Sequence, residues 1–335
     1  MNPTTDTSGL RARLASRQLL VVTGKGGVGK TVVAATLGRL LAAGPGRRRV
    51  LVLEVDPRES LHRMFDLPPS GGEVAAAGDG LFLQNLKPGQ VLDRVVEERL
   101  KIGALSRRVL SSPVYQNFSE GAPGLKEVAV LGHALRLVEG IDPALRGEPF
   151  DTVVLDAPAT GHGVSMLSAP RLLSEVIEDG PFGAMGSELA AFVADPGRCG
   201  VVVVTTAEEM PVAEAFELAE RLDRDLGRGV ELLAVNGVYP PLPEGVDAEA
   251  AAADPALGPA FDPALDPVLD LWSHRRRLQE REMARLAERW RGPRVELPKL
   301  PFERGPVLVD ALHACLLRRL AALSAGPADA AGGEA

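Results

Sequence analysis

Two lysines lie five positions apart in a glycine-rich stretch near the start of the chain. The stretch reads Gly24-Lys25-Gly26-Gly27-Val28-Gly29-Lys30-Thr31. It fits the pattern GxxxxGK followed by Ser or Thr. Glycines in such a loop let successive backbone N–H groups converge on phosphate oxygens, and a following helix adds the positive end of its dipole. We therefore expect Lys30 to reach the β- and γ-phosphates of a nucleotide and the Thr31 hydroxyl to ligate Mg²⁺.

The same glycines allow a second interpretation, a dinucleotide-binding turn. Gly24, Gly26 and Gly29 satisfy GxGxxG, and Glu54 or Asp56 ends the next apolar run, where a ribose-binding acid could sit. That pattern does not require Lys-Thr to follow, whereas the phosphate loop does. A glycine turn without a ligand fits least well, because so many glycines cost conformational entropy and contribute no packing. The sequence favours the phosphate loop.

Two aspartates follow apolar runs further along the chain. Val153–Leu155 leads into Asp156, the Walker B arrangement that places a carboxylate near Mg²⁺. Asp56 follows Arg49–Val55, where a carboxylate could orient an attacking water or hold a water bound to Mg²⁺. Taken alone, Asp56 is explained equally well by an ordinary Asp-Pro turn at the end of a strand.

Apolar runs alternate with helical stretches over most of the chain. The strong strand candidates are Leu19–Thr23, Arg49–Val55, Thr152–Leu155, Val201–Thr205 and Val230–Val235, and the weaker ones are Leu81–Leu86 and Val295–Leu297. Thr31–Ala43, directly after the glycine loop, has the composition of a helix. This alternation predicts an α/β fold with a doubly wound, mostly parallel sheet and right-handed crossovers.

We expect residues 1–335 to form a single phosphate-loop ATPase domain with helical insertions. Apolar residues recur at helical spacing in two regions, which predicts a helical subdomain built from about 90–149 and 165–198. The Pro-, Ala- and Asp-rich stretch at about 240–267 is predicted to be a flexible linker, and about 326–335 a disordered tail.

A charged helix is predicted after the linker, over Asp270–Arg291. Its apolar side would consist of Leu271, Leu278, Met283, Leu286 and Trp290.

Charge and cysteine content exclude several classes of protein. The formal net charge of −8 lacks the basic excess of a generic nucleic-acid binder. Cys199 and Cys315 are the only cysteines, without a CxxC pair, so we expect neither a disulfide scaffold nor a zinc site within one chain. This content fits a reducing compartment.

We expect a cytoplasmic protein. Met1–Arg17 lacks the apolar core of a signal peptide, and no apolar run approaches the roughly 18 residues of a membrane span. Ala311–Ala322, apolar with two arginines, leaves peripheral association with a membrane open, although such a helix more often packs on a core.

The string GKGGVGKT resembles the deviant Walker A motif of the family that contains MinD, ParA, the nitrogenase iron protein and the ArsA-type ATPases. The resemblance implies that Lys25 reaches across a dimer to the partner's nucleotide. There it would neutralise charge that develops on the transferred phosphoryl group, as an arginine finger does elsewhere. The plainer explanation of Lys25 is a solvated loop lysine.

Three further strings narrow the resemblance to the ArsA-type ATPases. DPRESLHRMF, from Asp56, is similar to their switch I, and LDAPATGHGVSML, from Leu155, is similar to their switch II. APGLKEVAVLGHA, from Ala122, is similar to the start of their helical subdomain. The resemblance covers Leu19–Leu173 well and the rest loosely. This branch includes the arsenite-pump ATPase and the Get-pathway targeting factor for tail-anchored proteins.

The resemblance also assigns roles to individual residues. It implies that Asp56 activates water, that Asp156 lies on the magnesium side, and that Gly161 senses the γ-phosphate through its backbone N–H. Asn236 corresponds to the asparagine that contacts the adenine base. Pro298–Phe302 would supply the other side of the adenine pocket.

The sequence departs from its relatives in ways that bear on partners. It has one phosphate loop and no internal repeat, so a Lys25 that acts across an interface needs a second chain. A homodimer is the simplest source, and a heterodimer with a paralogue is the alternative. Cys199 and Cys315 do not form the thiolate pattern of a metalloid site, and the zinc CxxC of the targeting factor is missing. The client groove of that factor is rich in Met, whereas this chain has only 6 Met, spread thinly.

The expected function is therefore Mg²⁺-dependent ATP hydrolysis by a dimer that encloses ATP. Its nucleotide state would be coupled to a client or membrane protein partner through the helical subdomain. One alternative is a membrane- or DNA-positioning ATPase of the MinD/ParA kind. Another is a non-catalytic partner subunit that binds nucleotide as a structural switch.

Overall fold

A computed structural model describes residues 9–44, 46–56, 58–93, 108, 110–112, 116, 124–142, 145, 148–158, 163–176, 180–241, 266–302 and 304–325. Within these residues, eight strands form one sheet, in the order β3-β4-β2-β5-β1-β6-β7-β8. The strands are β1 (Leu19–Thr23), β2 (Val50–Glu54), β3 (Ala75–Gly78), β4 (Leu81–Asn85), β5 (Thr152–Asp156), β6 (Cys199–Thr206), β7 (Leu232–Val238) and β8 (Arg294–Pro298).

Every pairing in the sheet is parallel except that of β3 with β4. The predicted doubly wound, mostly parallel sheet is therefore confirmed. Strand β3 was not predicted, because its sequence Ala-Ala-Ala-Gly carries none of the β-branched or aromatic residues typical of strands. It lies at the sheet edge, where pairing with β4 alone holds it.

Nine helices with defined bounds accompany the sheet in the described ranges. They are α1 (Leu10–Ser16), α2 (Lys30–Ala42), α3 (Ser60–Met64), α4 (Leu125–Glu139), α5 (Gly163–Val176), α6 (Gly180–Ala194), α7 (Glu209–Leu226), α8 (Asp266–Arg289) and α9 (Pro306–Ala325).

The strands are apolar throughout because both faces of the sheet are buried. Along β1, Leu19 and Val21 pack into one core together with residues of α4 to α8. Leu20 and Val22 point to the opposite face, into a second core that includes residues of α1, α2 and α9. Successive side chains of a strand face opposite sides, so one continuous apolar run serves both cores.

Strand order brings the candidate site residues to one edge of the sheet. β1 lies between β5 and β6, and β2 lies on the other side of β5. Asp156, the last residue of β5, is in register with Val22 of β1 and with Glu54 of β2. In open α/β sheets, ligands bind in the crevice outside such carboxyl ends.

The C-terminal half corrects two expectations. The strand expected at Val230–Val235 is β7, and it runs on past Asn236 to Val238 because β6 and β8 pair with it there. In α8, Leu271 and Leu278 are 56% and 44% exposed, whereas Gln279 is buried. The Gln279 amide accepts the Tyr239 N–H at 2.7 Å and donates to the Gly237 carbonyl at 3.0 Å, which compensates its burial.

The predicted domain boundaries stay predictions. Helices α4 and α6 lie within the two regions assigned to helical insertions, and α5 begins two residues before the second region. The linker expected at about 240–267 lies largely, and the tail expected at about 326–335 entirely, outside the described residues. No helix among the described residues is long and apolar enough to cross a bilayer. In α9, the apolar residues Val309, Leu312, Leu316 and Leu320 are buried in the second core.

Two helical glycines give a matched test of how closely α2 packs on the sheet. A Cβ at Gly38 would overlap the Val52 side chain of β2, whereas one at Gly132 in α4 would meet only Leu189 Cδ1, at 3.6 Å. We expect Gly38→Ala to lower the free energy of unfolding by about 1–3 kcal/mol through overpacking. Gly132→Ala should leave it unchanged or raise it by up to about 1 kcal/mol, since alanine is the better helix former. Urea denaturation measures both; equal effects would contradict the packing described.

Candidate active site

A cavity of about 690 Å³ opens at the carboxyl edge of the sheet. Its lining includes Gly27, Gly29, Lys30 and Thr31 from the glycine loop and α2, Glu54, Asp56 and Asp156 from the ends of β2 and β5, and Asn236, Pro298, Lys299, Leu300 and Phe302 on another side. Charged groups thus lie next to the loop, and the 298–302 segment adds apolar and ring surface.

Backbone geometry explains two of the glycines in the loop. Gly24 has φ +149° and Gly29, the N-cap of α2, has φ +92°. A Cβ at Gly24 would overlap the carbonyl oxygen of Val204, and one at Gly29 would overlap the Asn236 amide. The loop therefore passes too close to β6 and β7 for any side chain at these two positions.

Lys30 is the first residue of α2, and its side chain is buried beside the loop. Its Nζ donates a hydrogen bond to the Lys25 carbonyl oxygen at 3.0 Å. Burial lowers the pKa of Lys30, and the nearby Asp156 carboxylate acts in the opposite direction. An ammonium group held in this way is a fixed positive charge at the start of a helix, a suitable arrangement for a phosphate.

Thr31 and Asp156 join α2 to β5. The Thr31 hydroxyl donates to Asp156 Oδ2 at 2.6 Å, while Asp156 Oδ1 is buried and has no hydrogen-bond partner. Burial is the main cause that raises the pKa of Asp156 to about 6, and Thr31 and Lys30 oppose it. A hydroxyl beside a carboxylate oxygen without a partner fits Mg²⁺, which prefers hard oxygen donors.

This pair would leave most of the coordination sphere of Mg²⁺ to other ligands. No group of three or more His, Cys, Asp or Glu side chains within the described ranges is arranged to hold a metal ion. Mg²⁺ commonly keeps waters and takes phosphate oxygens in such sites, so two protein ligands are sufficient.

Asp56 lies in the turn between β2 and α3. Its Oδ1 accepts the Arg58 N–H at 2.9 Å, and its Oδ2 accepts the Ser60 hydroxyl at 3.0 Å. The Asn85 side chain at the end of β4 accepts the Asp56 N–H and donates to the Asp56 carbonyl. The carboxylate is thus fixed at the edge of the cavity, as the predicted role in orienting water requires.

Glu54 is a site residue that the sequence indicated only as a possible ribose-binding acid, in the dinucleotide alternative. It is the last residue of β2 and only 1% exposed, and both its carboxylate oxygens accept the Leu61 N–H, at 3.0 and 3.1 Å. Burial raises its pKa to about 8; the Leu61 hydrogen bond opposes this shift, and the charges of Asp156 and Asp56 add to it. The available signal was a carboxylate inside the otherwise apolar run Arg49–Val55.

Lys25 faces a second cavity, of about 280 Å³, whose lining includes Gly24, Gly163 and several residues of α7. Its Nζ lies 2.6 Å from Glu214 Oε1 of α7, and each of these side chains is more than a third exposed. Gly26 lies in the intervening turn of the loop. In a single chain, Lys25 therefore pairs with a carboxylate of that chain.

Asn236 lies in β7 beside the glycine loop. Its Nδ2 donates to the Val28 carbonyl at 2.9 Å, and the residue also lines the larger cavity together with Pro298 and Phe302. The structure thus brings Asn236 and the 298–302 segment to the cavity. Gly161 and its neighbour His162 lie outside the described residues.

Comparison with known proteins shows which family this part of the chain is similar to. The family model for an anion-transporting ATPase, ArsA_ATPase, matches residues 17–180, which include the glycine loop, Asp56 and Asp156. This region is therefore similar to the ArsA-type ATPase family, and the resemblance carried by the sequence motifs is confirmed.

Several relatives of this chain are named as ATPases. ATPase BagA of Mycobacterium tuberculosis is 31% identical over 229 residues, which cover 64% of this chain and 63% of BagA. The arsenical pump-driving ATPase of Escherichia coli is 29% identical over 251 residues, 70% of this chain and 41% of that protein. ATPase GET3 of Eremothecium gossypii is 26% identical over 218 residues, 58% of each chain. The matched part is under two thirds of each relative's length.

The raised pKa of the buried Glu54 predicts that the free energy of unfolding depends on pH. The unfolded chain releases the Glu54 proton near 4.5, whereas the folded chain holds it to about pH 8. Between these values the folded state binds more protons, so this group makes the free energy of unfolding fall as pH rises. In Glu54→Gln the contribution is missing, and the stability of the variant relative to the wild type should rise from about pH 5 to about pH 8.

Urea denaturation across this pH range measures the difference. Glu188→Gln is the control, because Glu188 lies exposed on α6 and should give a difference that does not change with pH. A flat profile for Glu54→Gln would contradict the assignment of a raised pKa to Glu54.

Proposed function

We propose that this chain hydrolyses ATP with Mg²⁺ and that the 690 Å³ cavity is its nucleotide site. The observation that carries the proposal is the Thr31–Asp156 hydrogen bond beside the glycine loop, with Asp156 Oδ1 buried and unpartnered. The loop N–H groups and the start of α2 would hold the phosphates. When bound, Mg²⁺ neutralises charge on the phosphate oxygens. Phosphate release by the purified protein, with and without Mg²⁺, tests this activity.

Each remaining site residue has a task within this proposal. Lys30 supplies a fixed positive charge to the terminal phosphates. Asp56 orients the attacking water, since a carboxylate has lone pairs beyond the two hydrogen bonds from Arg58 and Ser60. Asn236 and the 298–302 segment hold the adenine. Gly161, in the segment similar to switch II, senses the γ-phosphate through its backbone N–H.

A dimer follows if Lys25 acts on a neighbour's phosphates. The Lys25–Glu214 pair is partly exposed, and such pairs contribute little to stability, so Lys25 can leave Glu214 at low cost. A second copy of the chain is the simplest partner, and a paralogue is the alternative. We further propose that nucleotide state is passed to a client or membrane protein partner through the helices of the insertions.

The free cysteines and the packing of α9 bear on the compartment and on the alternative functions. Both cysteines are free, which fits a reducing compartment and hence the cytoplasm. A membrane-positioning role of the MinD/ParA kind gains no support from α9, whose apolar side chains are buried in the core. A non-catalytic nucleotide-binding subunit would have no need of a carboxylate held like that of Asp56.

The Mg²⁺ assignment is tested at Thr31. Thr31→Ser keeps the hydroxyl, so the Mg²⁺ concentration for half-maximal phosphate release should stay within about threefold of the wild type. Thr31→Ala removes the ligand and should raise that concentration about tenfold or more. A Thr31→Ala midpoint equal to that of Thr31→Ser would contradict the assignment.

Mixing two inactive variants tests whether Lys25 acts across an interface. We expect Lys25→Ala and Asp56→Asn each to abolish turnover while ATP binding survives. In a mixed dimer, one site combines the intact Asp56 of one subunit with the intact Lys25 of the other. An equal mixture should therefore recover about a quarter of wild-type turnover, since about half the dimers are mixed and each has one complete site.

Lys126→Ala provides a control, because Lys126 is exposed near the start of α4 and has no proposed task in nucleotide binding or hydrolysis. If mixing restores no turnover, Lys25 acts within its own chain, and the dimer proposal loses its support. Wild-type turnover in either single variant would contradict its catalytic role.

A further inference from the structure

The carboxylate of Glu54 connects two parts of the site that are otherwise separate. Its backbone ends β2, in register with Asp156 of β5. Its side chain accepts the Leu61 N–H through both oxygens, at the start of α3. Glu54 thus joins the rigid edge of the sheet to the short helix that follows Asp56.

The same helix turn helps to fix the Asp56 carboxylate, whose other oxygen accepts the Arg58 N–H. The hydroxyl of Ser60, the first residue of α3, donates to Asp56 Oδ2 at 3.0 Å. Ser60 is the direct chain neighbour of Leu61, so a hydrogen bond that fixes Leu61 also restricts Ser60. Asn85 holds the Asp56 backbone, but it makes no contact with the carboxylate that would prevent its rotation.

Local structure alone holds this turn weakly. α3 has five residues, far fewer than a helix needs to be stable by itself. Its N-cap, Glu59, has φ 49° and ψ 51°, in the left-handed region that is unfavourable for a residue with a Cβ. No side chain at the N-cap position bonds the first turn. Contacts from outside the turn must therefore fix it: the Leu61 side chain is buried in the second core, and the Glu54 carboxyl group accepts the Leu61 N–H.

We propose that Glu54 is a positioning residue for Asp56: by accepting the Leu61 N–H, it fixes the first turn of α3 and, through Ser60, the direction of the Asp56 carboxylate. The inference rests on the proposed function only in that Asp56 acts on the attacking water. The hydrogen bond itself does not depend on that function.

Two substitutions separate hydrogen bonding from the ionisable carboxyl group. Glu54→Gln keeps a carbonyl oxygen that can accept the Leu61 N–H and removes the group that can ionise. Glu54→Met has nearly the same length and fills the space, but it leaves the buried Leu61 N–H without a good acceptor. Glu188→Gln and Glu188→Met on the exposed face of α6 are the matched controls.

The first measurement is amide hydrogen exchange of the nucleotide-free protein. In Glu54→Met, exchange at Leu61 should rise about tenfold or more, since a hydrogen bond of about 1.5 kcal/mol is lost. In Glu54→Gln it should stay within about threefold of the wild type. Amides of α2 serve as the reference and should be unchanged in every variant.

The second measurement is steady-state ATP hydrolysis. Glu54→Met should lower kcat about 10²-fold, as expected when a catalytic group is misplaced by about 1 Å. The KM for ATP should stay within about threefold, because the glycine loop is untouched. Glu54→Gln should retain kcat within about threefold of the wild type.

Three outcomes would overturn the inference. Wild-type kcat in Glu54→Met would show that Asp56 does not need the hydrogen bond. A Glu54→Gln variant as slow as Glu54→Met, with Leu61 still protected, would assign the role to the ionisable carboxyl group of Glu54 and not to its hydrogen bond. Faster exchange in α2 would assign Glu54 to general stability. An inactive wild type would instead contradict the proposed function and leave the exchange result for Leu61 intact.

Discussion

The hydrogen bond between the Thr31 hydroxyl and Asp156 is the interaction on which the rest of the site depends. It joins the first turn of α2 to the end of β5, and it exists because β5 is the parallel neighbour of β1, from which the glycine loop leaves the sheet. It occupies one oxygen of a buried carboxylate and leaves the other without a partner. A buried, half-satisfied carboxylate is unfavourable by itself, and a cation with phosphate oxygens would satisfy it.

Three carboxylates lie close together at the ends of neighbouring strands and repel one another. Glu54 and Asp156 are both buried, their pKa values are raised by that burial, and the charges of the cluster add to the shift. Lys30 offsets part of this repulsion. A core built for stability alone would place apolar side chains at the end of β2, so the cluster indicates a site at which stability is given up for binding or chemistry.

Much of this arrangement could be predicted from the sequence, because it is encoded locally. The glycine loop is contained within eight residues, which include the glycines that the backbone needs, a lysine and a threonine. Apolar runs mark the strand that ends at Asp156 and the strand that ends just before Asp56. Contacts between distant segments could not be predicted. The Glu54–Leu61 bond depends on a turn with a left-handed residue, and the exposure of Leu271 and Leu278 depends on Gln279 pairing with backbone at the end of β7. Local patterns carry no signal for either.

The pairing of Lys25 with Glu214 joins residues 189 positions apart, and Glu214 lies in α7, beyond the region that defines the family. How strongly a chain holds its own Lys25 therefore depends on α7, a helix that the sequence of the glycine loop does not determine. Two proteins with identical glycine loops can differ in how readily the lysine is released to a neighbour. In the proposed dimer, variation in α7 would change the threshold for assembly while the phosphate-binding motif stays the same.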